Sequence, residues 1–433
     1  MPANFILKSV SLPNGQIADI AITDDKISEI GLGLIGAEVI DCTGLVALPG
    51  LVDLHTHLRE PGFEQSETIF TGSQAAALGG FTAVHAMANT MPVADTAGVV
   101  EQVAALGREA GYVDVYPIGA VTVGLNGTQL SEIGAMANSR AKVRVFSDDG
   151  KCVHDPVIMR RALEYVKAFG GVVAQHAQEP RLTEGAQMNE GRVSAELGLV
   201  GWPAVAEEAI IARDVLLAEH VGSRVHICHI STAGSVEIIR WAKARGIDVT
   251  AEVTPHHLLL TDELVRSYDS VYKVNPPLRT AEDVLAVRAA LIDGTIDIIA
   301  TDHAPHPIEA KDCEWNAAAF GMLGLETAAS IAQEVLIESG KSSWQRVAEV
   351  LSHAPARIGA DEEQGQELKV GSFANIAIID PTAKRTIVAE SASKSKNSPY
   401  IGLELPGRVM HTVYRGYFTV RDGLLASEGK KHD

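Results

Sequence analysis

Histidines and carboxylates collect in a few short motifs. The first is Asp53-Leu54-His55-Thr56-His57-Leu58-Arg59, two imidazoles and a guanidinium each two residues apart. On an extended strand side chains alternate between faces, so His55, His57 and Arg59 would share one face. Two imidazoles aimed at one point chelate a borderline ion such as zinc, and an arginine beside them can fork onto a carboxylate. Similar groups recur at Gln175-His176, at His226-Ile227-Cys228-His229 and at Thr301-Asp302-His303. Ser147-Asp148-Asp149-Gly150 adds a carboxylate able to bridge two ions. A lone His-x-His is weak evidence, because paired histidines are often only hydrogen-bonded. Recurrence across separate motifs is hard to explain structurally.

Each of these motifs closes a short apolar run. Eight such runs lie at 50–57, 82–89, 113–121, 143–149, 171–177, 224–231, 248–256 and 297–303, separated by amphipathic helical stretches. That rhythm is the βαβ signature, and eight units over about 300 residues predict a closed (β/α)8 barrel of the TIM type. Barrel enzymes carry their chemistry at the C-terminal strand ends, where the polar groups fall here. In the sixth run His226 and His229 are three apart and should lie on opposite faces. His229, nearer the end, is the expected ligand and His226 a packed or supporting histidine. In the fourth run Asp149 shares parity with Val143, Val145 and Ser147; strand ends bulge, so Asp148 stays open as the alternative.

The two chain ends read differently. Short β-branched stretches alternate with turn signals at Asn14-Gly15, Asp24-Asp25 and Asp422-Gly423. The α/β chain is therefore expected to hold a barrel at 49–364 and a small β-sandwich domain built from 1–48 with 365–433. Its 433 residues contain 36 Lys+Arg against 55 Asp+Glu, a formal charge of −19, with 15 histidines and 46% hydrophobic residues. That balance argues against nucleic-acid or anionic-membrane surfaces and against disorder. Four cysteines without C-x-x-C spacing, and no signal-like N-terminus, point to a cytoplasmic protein.

The runs PGLVDLHTHLREPG, Asn89-Thr90, SDDG, AQHAQE, HICHIST, VNPPLR, DHAPH and FGMLGLET, in this order and nearly end to end, resemble the bacterial dihydroorotases of the amidohydrolase superfamily. The resemblance implies reversible cyclisation of N-carbamoyl-L-aspartate to L-dihydroorotate in pyrimidine biosynthesis. It implies two zinc ions per chain, one on His55 and His57 and the other on His176 and His229. Asp149 would bridge them where other branches use a carboxylated lysine, and Asp302 would be both ligand and proton shuttle for a metal-bound hydroxide. His57, Arg59, Asn89, Asn275 and His306, with main-chain groups of Phe320 and Gly321, would bind substrate. A homodimer and association with aspartate carbamoyltransferase also follow from the family. Ala88 stands where the family pattern has proline, which would leave the backbone aiming Asn89 less restricted. The segment from Pro305 to Phe320 is long for a βα connection and reads as a cover over the site.

Two rivals make different demands. A hydantoinase, dihydropyrimidinase or allantoinase would normally place lysine on the fourth strand; Lys151 lies beyond Gly150, outside it. A metal-free scaffold would have lost ligands, and none of the six is missing.

Overall fold

The computed structural model describes residues 4–427 and 429. The N-terminal strands are β1 (Phe5–Ser11), β2 (Ile17–Thr23), β3 (Lys26–Gly31), β4 (Val39–Asp41) and β5 (Val46–Pro49). There follow β6 (Leu51–Thr56), β7 (Phe81–Ala86), β8 (Asp114–Pro117), β9 (Val145–Phe146) and β10 (Val172–Gln175). A short parallel pair, β11 (Met188–Asn189) and β12 (Gly201–Trp202), precedes β13 (Val225–Ile227), β14 (Val249–Val253) and β15 (Ile298–Ile299). The chain ends in β16 (Ile376–Thr386), β17 (Glu404–Tyr414), β18 (Tyr417–Arg421) and β19 (Leu424–Leu425).

Strands β6 to β10 and β13 to β15 form the barrel. Parallel pairing runs β6-β7-β8 and β9-β10-β13-β14-β15. The bridge Gly119–Phe146 joins the two arcs, and Thr56–His303 closes the ring. All eight expected strands are present, each shorter than its apolar run because the polar ends leave the sheet. Leu54, Met87, Ile118, Val145, Val172, Ala174, Cys228, Ile298 and Ala300 form a buried interior cluster with Ala354 and Ile358. β14 is the exception. Its Val249, Ala251 and Val253 join the outer core, which leaves Thr250 and Glu252 on the opposite face.

Helices cover the barrel. Thr68 caps Ile69–Leu78 through a capping box, and Asp155 caps Pro156–Lys167 by accepting from the Val157 and Ile158 amides. The second of these helices is capped by Ala168, and Gly170, two residues later, makes the left-handed turn. Among the described residues no helix is long and apolar enough to cross a membrane.

The chain ends share one nine-stranded sheet, in the order β19-β18-β17-β16-β5-β1-β2-β3 with β4 on β1. Lys26 at the start of β3 bridges to Phe373 just ahead of β16, so the sheet curls back on itself. It encloses Leu7, Ile20, Ile22, Ile27, Ile376, Ile378 and Val413. β5 leads directly into β6, tying sheet to barrel. The ends also pack tightly at Gly416, whose φ is 78° and where an added Cβ would lie 1.8 Å from the Asp24 carbonyl oxygen. Gly416→Ala should cost about 2–3 kcal/mol from backbone strain and overlap. Urea denaturation checks this; an unchanged midpoint would show that the two turns are not tightly joined.

Candidate metal centre

Six side chains converge above the barrel from strands β6, β9, β10, β13 and β15. Asp149 lies at their middle. Its Oδ1 is 3.4 Å from His55 Nε2, 3.2 Å from His176 Nδ1 and 3.3 Å from His229 Nε2, and its Oδ2 is 3.3 Å from His57 Nε2. Asp302 Oδ1 lies 3.0 Å from His57 Nε2 and 3.4 Å from His55 Nε2. All six residues are buried.

The positioning is local and specific. Asp53 accepts the His55 amide (3.1 Å) and the Thr301 amide (3.0 Å) on one oxygen, and the Thr301 hydroxyl on the other, clamping the ends of β6 and β15 together. Asp302 and His229 take φ of 46° and 31°, so both have left the extended conformation. Strand parity therefore does not govern His229. The His226 ring reaches the inward carboxylate of β14 and the His229 ring reaches Asp149, so both point inward, contrary to the opposite faces expected of them. The β14 carboxylate is Glu252, 2.6 Å from His55 Nδ1 and 3.0 Å from His226 Nε2, with the His229 amide donating to it at 3.1 Å. Sequence reasoning passed over Glu252, although an acid among β-branched residues in VTAEVT was a visible signal. Asp148 turns away, accepting from the Val121 and Thr122 amides at 2.8 and 3.0 Å and from the Thr122 hydroxyl. Lys151 is exposed and only turns the chain after Asp148.

Burial opposes charge on His55, His57, Asp149, His176 and Asp302, and the neighbours overcome it. Desolvation would push Asp149 up, but the His55 charge and hydrogen bonds from His176 and His229 hold it well below the carboxylate range. Asp302 is likewise held at about 2, against burial, by His55 and His57. Burial disfavours an imidazolium at His55, yet Asp149, Glu252 and Asp302 raise its pKa well above the usual value. The pocket thus demands positive charge between the carboxylates and the rings.

These donors fit metal ions. His55, His57 and Asp149 form one group of mutually close ligand atoms, and Asp149, His176 and His229 form another. His55 Nε2 is buried without a hydrogen-bond partner, and His176 Nδ1 faces His229 Nε2 at 2.8 Å, where two lone pairs would repel. Imidazole and carboxylate donors suit zinc. A third group pairs His55 and Glu252 with Cys228, but there the His55 Nδ1 and Glu252 Oε1 are already hydrogen-bonded to each other at 2.6 Å.

The expected substrate residues fall beside this cluster. Arg59 is intermediate in surface exposure, has φ of 63° and donates Nε to the Pro305 carbonyl at 3.1 Å. Its Nη2 is 3.3 Å from His306 Nε2, which is 2.8 Å from the Phe320 carbonyl. Burial, then the Arg59 charge, push His306 down to about 3, so it stays neutral. Asn89 directs Oδ1 to His57 Nδ1 at 2.9 Å, fixing that ring. The Ala88 carbonyl accepts from the Thr90 and Ala94 amides at 2.9 and 3.0 Å, supplying by hydrogen bonding the restraint a proline would give. Asn275 Nδ2 lies 3.1 Å from Gln178 Oε1 and 3.4 Å from His176 Nε2, while its Oδ1 is buried and unpartnered. The Gly321 amide donates to the Lys273 carbonyl at 2.9 Å, so this main-chain group is already engaged within the protein.

The two adjacent aspartates should separate cleanly by mutation. Asp149→Asn is expected to remain folded and bind divalent metal more weakly than wild type. Asp148→Asn should lose about 1–3 kcal/mol of stability by misplacing a buried acceptor. Metal content and denaturation midpoints measured on both would expose a reversed pattern.

A family model described as dihydro-orotase-like matches residues 44–235. The chain is 66% identical to a dihydroorotase of Leifsonia xyli subsp. xyli, over 97% of each chain. It is 55% identical to one of Mycobacterium tuberculosis, over 95% of this chain and 96% of that one. Among solved structures, an L-hydantoinase (dihydropyrimidinase) of Arthrobacter aurescens superposes with a TM-score of 0.87 at 25% identity, covering 98% of each chain. A dihydropyrimidinase of Brevibacillus agri shares the fold with a TM-score of 0.85 at 24% identity, over 98% of this chain and 97% of that one. With two thirds of its residues shared with curated members across nearly its whole length, the chain belongs to the dihydroorotase family.

Proposed function

We propose that the chain catalyses the reversible ring closure of N-carbamoyl-L-aspartate to L-dihydroorotate, using two zinc ions per chain. The observation that carries this is Asp302, ionised and within 3.0 Å of His57 Nε2, in the same pocket as the Asp149 cluster and Arg59. His55 and His57 would hold one ion, His176 and His229 the other, with Asp149 between them. When bound, the ions would supply an acidified water at neutral pH and polarise the amide carbonyl.

The chain's own groups do the rest. Arg59 offers its guanidinium to a substrate carboxylate, in a pocket where neutral His306 adds no competing charge. Asn275 Oδ1, buried and unpartnered, can accept from a substrate N–H. In ring opening the water oxygen joins the carbonyl carbon and the ring carbon–nitrogen bond breaks. Asp302 takes the proton the water loses and gives it to the departing nitrogen; ring closure runs the same path backwards. A carboxylate clamp and an aspartate just past β9 favour this substrate over hydantoin or allantoin. The four free cysteines, of which only Cys313 is exposed, fit a reducing cytoplasm. A homodimer and docking to aspartate carbamoyltransferase belong to the same reading.

The segment after β15 acts as the cover. It is stitched down by Lys311, a buried ammonium donating to the carbonyls of Lys273, Ala319 and Gly321 at 3.1, 2.8 and 2.9 Å. Asn397 adds a bond from its Nδ2 to the Ala304 carbonyl at 3.0 Å. Such a cover excludes water from the reacting centre.

Two outcomes follow. Asp302→Asn should retain fold and lower kcat by about 10²–10⁴, the usual worth of a general acid–base group. Turnover of dihydroorotate, hydantoin and allantoin by both proteins tests it, and unchanged activity or a preference for hydantoin would overturn the reading. Burial, then the Lys273 charge, push Lys311 down to about 7. An unfolded lysine titrates near ~10.4, so between these values the unfolded chain holds the extra proton and this group makes stability rise with pH. Its contribution is fully present above the unfolded value and is lost as pH falls through about 7. Lys311→Met should therefore show a shallower rise in stability between about pH 7 and about pH 9 than wild type. Equal slopes in denaturation would contradict the assignment.

A further inference from the structure

Glu252 lies on the inward face of β14, 1% exposed, and no part of the mechanism above uses it. A carboxylate can only accept, which fixes what its neighbours do. Its Oε1 receives the His55 Nδ1 proton at 2.6 Å, so the His55 Nε2 lone pair is left to face Asp149 and Asp302. The same oxygen accepts the main-chain amide of His229 at 3.1 Å. That bond holds a residue whose φ of 31° is disfavoured for any side chain with a Cβ, and whose Nε2 must reach Asp149. The second oxygen, Oε2, is 3.0 Å from His226 Nε2, and His226 Nδ1 is 2.9 Å from Thr250 Oγ1. The chain Thr250–His226–Glu252 thus keeps the carboxylate from rotating.

We propose that Glu252 is the positioning residue that couples the two halves of the metal centre, one oxygen orienting the His55 ring and the His229 backbone together. The inference rests on the two-ion reading above. Asn89 on His57 and Gln178 on His176 each serve a single ring, with Nδ1···Oδ1 at 2.9 Å and Nε2···Oε1 at 2.8 Å. Of these three supporting side chains, Glu252 alone touches residues of both groups.

The test is zinc titration of the metal-stripped full-length chain by chelator competition, with the cobalt(II) absorption spectrum as a second readout. Glu252→Ala should weaken both ions together by about 10–100-fold and alter the cobalt spectrum. Glu252→Gln keeps an acceptor oxygen but loses the charge, and should fall between wild type and Glu252→Ala for both ions. Thr250→Val, at the far end of the chain, should stay within about threefold of wild type. Wild-type affinity for both ions in Glu252→Gln would overturn the proposal, even if Glu252→Ala fails to fold. Weakening of one ion alone would overturn the coupling. A wild-type chain that binds no zinc would strike at the two-ion reading itself, a result distinguishable from failure of the variants.

Discussion

Five ionisable side chains buried around one aspartate are the constraint on which the rest of the molecule depends. Asp149 and Asp302 cannot remain charged in a dry pocket unless positive charge stands between them and the four imidazoles. Metal ions meet that need, and protons on the rings meet it otherwise. Either way the groups must be held within a few tenths of an ångström, because ligand geometry tolerates little more. The barrel supplies this by delivering the six side chains from the ends of five strands.

The strand ends are not rigid by themselves, and much of the surrounding polarity serves to fix them. Asp53 clamps the first barrel strand to the last, at the seam where the ring closes. Glu252 orients His55 and holds the His229 backbone. Asp148 ties the fourth strand to the loop after the third, leaving its neighbour free to face the centre. Lys311 and Asn397 pin the segment that carries His306, Phe320 and Gly321. Acceptors and donors buried for these tasks are fully engaged, which is why they can be dry.

Much of this was legible in the chain. Eight apolar runs with polar ends predicted a barrel and its functional rim, and β-turn pairs such as Asn14-Gly15 marked a sheet at the ends. His55, His57, His176, His229, Asp149 and Asp302 converge as their motifs suggested. Less legible were features set by tertiary contact. His229 escapes strand parity because its backbone turns left-handed once β13 ends at Ile227. Asn89, expected only to meet substrate, also fixes His57, a contact that spacing cannot reveal. Glu252 was missed because its partners lie on other strands, although its place opposite Val249, Ala251 and Val253 betrayed an inward acid. The Gly321 amide donates to the Lys273 carbonyl, a pairing set by the folding of the cover that spacing cannot reveal.

The most direct measurement is anomalous diffraction at the zinc edge from crystals of the zinc-loaded chain. The expected result is two peaks, each about 2.0–2.2 Å from the Asp149 carboxylate, one beside His55 and His57 and the other beside His176 and His229. A single peak, or ions bound away from Asp149, would contradict the two-ion centre.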